Sequence, residues 1–146
     1  MVIFTIGFTQ KTAEQFFNTL KDAGVQRVVD VRLNNTSQLS GFAKRDDLRY
    51  FLNEIAGIDY IHVPLLAPTH DILSAYRKKG IEWEEYERQF LAVLEERGVE
   101  HEIEPSTLDK SCLLCSEVEP DQCHRRLVIE YLDNRWGNIE VRHLGV

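Results

Sequence analysis

Cysteine is scarce in this chain, three among 146 residues, and all three lie between positions 112 and 123. An odd, clustered trio does not build the disulfide framework of a secreted mini-domain, so reduced thiols in a cytoplasmic protein are the expectation. Four prolines and eight glycines exclude collagen-like and low-complexity repeats. No apolar run approaches the roughly 20 residues that a membrane span needs. The opening Met1-Val2-Ile3-Phe4-Thr5-Ile6-Gly7 lacks the basic lead and the small-residue cleavage site of a signal peptide. Basic residues are also in deficit, 17 Lys and Arg against 24 Asp and Glu, for a net charge of -7. That excess is local: residues 81–104 hold nine Glu against Arg88 and Arg97, and the rest of the chain is neutral. A broad nucleic-acid footprint is therefore not expected, whereas a focused anion site elsewhere fits this balance.

What the chain does have is 43% hydrophobic residues, arranged as strand-like runs alternating with helical stripes. Residues 2–8 form a β-branched and aromatic run, after which Thr12-Ala13-Glu14-Gln15 supplies a capping box ahead of Phe16, Phe17 and Leu20. Residues 25–33 hold a second strand. A polar loop over residues 34–41 leads to a helix with Leu48, Phe51, Leu52 and Ile55 inward, stopped by Gly57. Residues 59–65 form a third strand. A long helical stretch follows, with Trp83, Tyr86, Phe90, Val93 and Leu94 read as core. Residues 101–110, with Pro105, read as a loop, and residues 111–116 as a fourth strand. The last helix is expected from near Asp121 to Trp136, and residues 139–144 as a fifth strand. This order predicts an α/β fold: residues 1–146 as a single three-layer domain, about five mostly parallel strands with helices on both faces. Ligands of such sheets bind beyond the carboxyl ends of the strands, which favours Gly7, Arg32 and residues 115–126.

The segment from Cys112 to Arg126 is the most informative. Cys115 falls near the end of a buried strand, while Cys123, His124, Arg125 and Arg126 fall in the first turn of a helix. Free amide groups, the helix dipole and two guanidinium groups there favour a thiolate, the form a nucleophilic cysteine needs. The alternative is that the cysteines are small buried hydrophobes and the arginines pair with carboxylates. Zinc fits poorly, because residues three apart on a strand point to opposite faces, which separates Cys112 from Cys115. No metal or cofactor is expected. Asp30 and Arg32 share one side of their strand; Arg32 can hold an anion through its planar fork, with Asp30 as an orienter or proton acceptor, or the two can form a structural network. Tyr60 and His62 share another strand face, as do Thr5 and Gly7. Residues 34–37, Gly41, Lys44 and Arg45 fit a polar lid or a plain solvated loop.

With Thr5-Ile6-Gly7, Asp30-Val31-Arg32, Gly57-Ile58-Asp59-Tyr60, Leu113-Leu114-Cys115-Ser116-Glu117 and Cys123-His124-Arg125 in this order, the chain resembles the domain-of-unknown-function 488 family over nearly its whole length. It carries Phe8-Thr9 after Thr-Ile-Gly, Leu33-Asn34-Asn35 after Asp-Val-Arg, and Leu66-Ala67-Pro68, where members of that family usually show other residues. In layout alone it is similar to the rhodanese-like sulfurtransferases, with an Asp-x-Arg strand and a later strand ending in Cys. That likeness implies persulfide transfer.

The expectation is a small cytoplasmic enzyme for an anionic substrate, performing sulfur or other group transfer, with Cys115 or Cys123 as the reactive thiol. Arg32 and Arg125 are the candidate anion holders, with Arg126 a lesser one, and His124 or Asp30 the proton-transfer candidates. Glu117, Gly7, Thr5 and Tyr60 complete the candidate binding set. The rival is a non-catalytic module for a nucleotide or nucleic acid, using Arg32, Arg125, Arg126, Lys44 and Arg45 as phosphate contacts.

Overall fold

The β-branched and apolar runs close into one five-stranded parallel sheet, seen in a computed structural model that describes residues 1–36, 41–116 and 123–145. Strands β1 (Val2–Gly7), β2 (Arg27–Asp30), β3 (Asp59–His62), β4 (Ser111–Cys115) and β5 (Glu140–His143) stand in the order β3-β2-β4-β1-β5, each neighbouring pair parallel. Helices α1 (Ala13–Ala23) and α2 (Arg45–Phe51) carry the chain from β1 to β2 and on to β3. Helices α3 (His70–Arg77), α4 (Trp83–Arg97), α5 (Val99–Glu102) and α6 (Pro105–Leu108) lead back to β4, and α7 (His124–Trp136) joins β4 to β5.

The alternation of strand side chains sorts the interior into two cores. Phe4, Ile6, Cys112 and Leu114 meet Phe16, Phe17 and Leu20 of α1 and Leu48 of α2 on one face. Ile3, Val29, Leu113 and Cys115 meet Ile72, Phe90, Leu94, Leu127 and Val128 of α3, α4 and α7 on the other. Connections running toward the β3 edge thus lie on one face and those running toward the β5 edge on the other, the pattern that crossovers of a single hand produce. Complete burial of side chains such as Phe16 and Leu20 contributes about 1.5–3 kcal/mol each. Cys112 and Cys115 stand on opposite faces, as their three-residue spacing requires. Thr12 caps α1 with the reciprocal Gln15 bonds of a capping box, and Gly24 ends it at φ 78°, a left-handed turn that glycine adopts without strain.

Four local expectations need correction. The stretch after Pro68 is two helices, not one: Thr69 caps α3, and Lys79, at φ 58°, breaks the chain before α4. Residues 101–110 are not a plain loop, since α5 ends at Glu102 and Pro105 opens α6, where its missing N–H costs nothing. Ile55 is 48% exposed rather than inward, because residues Leu52–Ala56 form a π turn whose wider winding rotates it off the Leu48–Leu52 stripe. Helix α7 starts at His124, with extended Cys123 as its N-cap, three residues later than expected; Asp121, the expected cap, lies outside the described residues. Among the described residues no helix is long and apolar enough to cross a membrane.

Candidate functional site

The chain leaves β1 and β2 toward one face and leaves β4 toward the other, so a crevice opens at the carboxyl ends of these strands. Gly7 and Cys115 are register partners there. The pairing continues past the strands, with Phe8 N donating to Cys115 O at 3.3 Å and Thr9 Oγ1 donating to Ser116 O at 2.6 Å. Side chains opposite one another in a parallel pair share a face, so Gly7 stands on the face of Cys115, though it does not line the cavity at this end of the sheet.

A cavity of about 460 Å³ occupies this end of the sheet, with Arg32, Cys115, Cys123 and His124 in its lining. Cys115 and Cys123 bring their sulfurs together across a Cα separation of 7.6 Å. The three thiols of the sequence are thus divided: two meet in space at the cavity, and Cys112 stands apart from them, buried on the other face of the sheet. The physical reason is that β4 ends and α7 begins on the same face of the sheet, which closes the eight-residue separation in space. Arg125, fully buried, donates from Nη1 to Cys115 Sγ at 3.5 Å. Burial pushes the Cys112 thiol far up despite the charge of Arg125, so it stays protonated.

Behind the cavity, Asp30 binds Arg32 through both carboxylate oxygens, at 2.8 Å from Nε and 2.8 Å from Nη2. Tyr60 OH donates to the same carboxylate at 2.5 Å, and Asn35 Nδ2 at 3.4 Å. Burial alone would raise Asp30, but the hydrogen bonds and charge of Arg32, with the Tyr60 hydroxyl, bring it below the ordinary carboxylate value. Burial and the Asp30 charge push Tyr60 far up. Phe8 lies under the Arg32 guanidinium, 5.4 Å from ring centroid to Cζ. Arg32 is 3% exposed, and its Nη1 has no hydrogen-bond partner among the described residues.

Two histidines fix the backbone that presents Arg32. His124 Nε2 donates to the Val31 carbonyl at 2.6 Å, and His62 Nε2 to the Arg32 carbonyl at 2.9 Å. A carbonyl only accepts, so both rings carry hydrogen on Nε2. Burial pushes His124 down to about 4, against the pull of the Val31 bond and helped by the charges of Arg125 and Arg77, and the ring is neutral at pH 7.

Of the other candidates, Thr5 is buried but shares a 2.5 Å hydrogen bond with His143 of β5 and is not part of the cavity lining. Arg126 pairs with Glu130 one turn along α7 at 2.9 Å. Glu117 lies outside the described residues. Ser116, within the favoured 115–126 stretch, does line the cavity, whereas sequence reasoning missed Tyr76 and Arg77 as lining residues and assigned Trp83 and Tyr86 to the core alone. Tyr86 is buried, yet both Trp83 and Tyr86 face the cavity as well. Their helical spacing signals an inward stripe and cannot report that the stripe runs past the end of the sheet.

Fold and site define a three-layer α/β protein with a cysteine pair and buried arginines at the point where its connections diverge. The chain belongs to the DUF488 family, a domain of unknown function, whose family model matches residues 12–132. No curated protein and no solved structure matches it.

Proposed function

We propose that the protein is a thiol-dependent group-transfer enzyme for an anionic substrate, with Cys115 as the nucleophile and Cys123 as the resolving thiol. The observation that carries this reading is the contact of the Arg125 guanidinium with Cys115 Sγ, beside a cavity also lined by Cys123 and Arg32. A guanidinium within hydrogen-bond reach favours the thiolate of a reduced cysteine.

In its sulfur-transfer form, the Cys115 thiolate attacks the outer sulfur of a thiosulfate-like donor. The donor S–S bond breaks, sulfite leaves with the electron pair, and Cys115 becomes a persulfide. The Cys123 thiolate then attacks the Cys115 sulfur, which releases hydrosulfide and closes the Cys115–Cys123 disulfide. Two equivalents of an external thiol, oxidised to their own disulfide by way of a mixed disulfide, return both cysteines to the reduced state. Arg32 holds the anionic end of the donor. Asp30 and His124 act as positioning residues: the Asp30 carboxylate is saturated by donors, and His124 anchors the Val31 carbonyl. The nucleic-acid alternative needs exposed arginines, whereas Arg125 is fully buried and Arg126 and Arg45 pair with Glu130 and Asp46.

The test is iodoacetamide labelling of the reduced protein across pH, resolved by mass spectrometry, with and without phosphate or thiosulfate. Cys115 labels with a midpoint below the ordinary thiol value of about 8.5 and is protected by the anions. If Cys115 and Cys123 both titrate as ordinary thiols, the nucleophile reading fails.

A further inference from the structure

The cavity selects for more than negative charge. Besides the cysteines, its lining includes Tyr76, Trp83 and Tyr86, and their rings form a single cluster. Trp83 stacks on Tyr86 with centroids 5.1 Å apart and planes 20° from parallel, while Tyr76 lies 4.9 Å from Tyr86 and 5.7 Å from Trp83. Trp83 and Tyr76 are half-buried, and both line the cavity. The same lining contributes Arg32 and Arg77 and, among the described residues, no carboxylate, although the chain as a whole carries a charge of -7.

The second observation concerns Arg32. Its side chain is only 3% exposed, and its Nη1, a buried cationic donor, has no hydrogen-bond partner among the described residues. A buried donor left unpaired carries its full desolvation cost, which an oxygen of a bound anion would remove. Asp30, Phe8 and the two histidines hold this guanidinium in place, so little ordering is required on binding.

We infer that the cavity binds an organic anion bearing a planar aromatic or heteroaromatic group, the anionic group on Arg32 and the ring against Trp83 and Tyr76. The inference deepens the functional reading above and rests on its cavity. The volume, about 460 Å³, falls in the range of small-molecule sites and exceeds what a bare inorganic anion fills. A planar ring gains quadrupolar contact with these aromatics that a saturated ring of similar size does not.

The experiment is calorimetric titration of the full chain carrying Cys115→Ser with three probes: inorganic phosphate, phenyl phosphate and cyclohexyl phosphate. Phenyl phosphate binds at least about tenfold tighter than inorganic phosphate and several-fold tighter than cyclohexyl phosphate, as expected for stacking on an aromatic wall. Adding Trp83→Leu brings phenyl phosphate down to the level of cyclohexyl phosphate and leaves inorganic phosphate unchanged. Equal affinities for the two ring probes, no binding of any probe, or a phenyl preference that survives Trp83→Leu overturns the inference. Should Trp83→Leu fail to fold, Tyr76→Leu replaces it, and should both fail, the ranking of the probes on the parent chain decides. Since the nucleophilic thiol is absent from this protein, these outcomes are independent of whether Cys115 is reactive.

Discussion

Asp30 holds Arg32 by two parallel bonds of 2.8 Å, and both partners are almost completely withdrawn from solvent. A buried pair of this kind is strongly interdependent, because removing one charge strands the other. The arrangement makes Asp30 a determinant of stability and, under the proposed function, of the anion site as well.

Replacing Asp30 by Asn leaves the Arg32 guanidinium buried without its counter-charge. The expected loss is about 3–5 kcal/mol of folding stability, read from urea unfolding at pH 7. Tyr60→Phe removes a single hydroxyl bond to the same carboxylate and costs about 1–3 kcal/mol. Equal costs for the two variants would show that the ion pair is not the main support.

The pH dependence of stability has two stages. His124 has its folded value lowered from 6.5 to about 4, so between these limits the unfolded chain binds the extra proton. Stability from this group is fully present above pH 6.5 and is lost as the pH falls through 4. Asp30, also lowered, contributes stability above the ordinary carboxylate value that is lost at still lower pH, through its depressed folded value. His124→Gln is expected to flatten the urea midpoint between pH 6.5 and 4 while leaving the more acidic stage in place.

Reduced native protein should alkylate at Cys115 and Cys123, which line the cavity, but not at Cys112, which lies in the core of the other face and is held protonated. Mass spectrometry of peptides labelled before and after denaturation checks this order. Labelling of native Cys112 at the rate of the other two would contradict its place in the core.

Arg125→Met removes the guanidinium that touches Cys115. The labelling midpoint of Cys115 should rise by about 1–3 pH units, as expected for loss of an opposite charge at hydrogen-bond range. Arg126→Met, which removes the partner of Glu130 and leaves the Arg125–Cys115 contact in place, should leave that midpoint unmoved.

Much of this architecture was legible because it follows from periodicity. The five strands, the capping box of Thr12 and the opposite orientations of Cys112 and Cys115 all depend on local repeats of two or 3.6 residues. The aromatic wall was not legible, since Trp83 and Tyr76 sit on different helices and meet only after the break at Lys79. The proximity of Cys115 and Cys123 was similarly hidden, because it depends on where α7 docks rather than on the residues between them. Asp30 and Arg32 were recognised as a pair, but their sequence could not show that one buried Arg32 donor would have no partner among the described residues.

The π turn at Leu52–Ala56 has an evolutionary reading. A π turn holds one residue more than an α turn, so this segment behaves as an α-helix that has absorbed a one-residue insertion. Leu48, Leu52 and Ile58 keep their buried places, and the surplus length is expelled as exposed Asn53, Glu54 and Ile55. Indels in this helix can therefore be tolerated without shifting β3, on whose far end His62 anchors the Arg32 carbonyl.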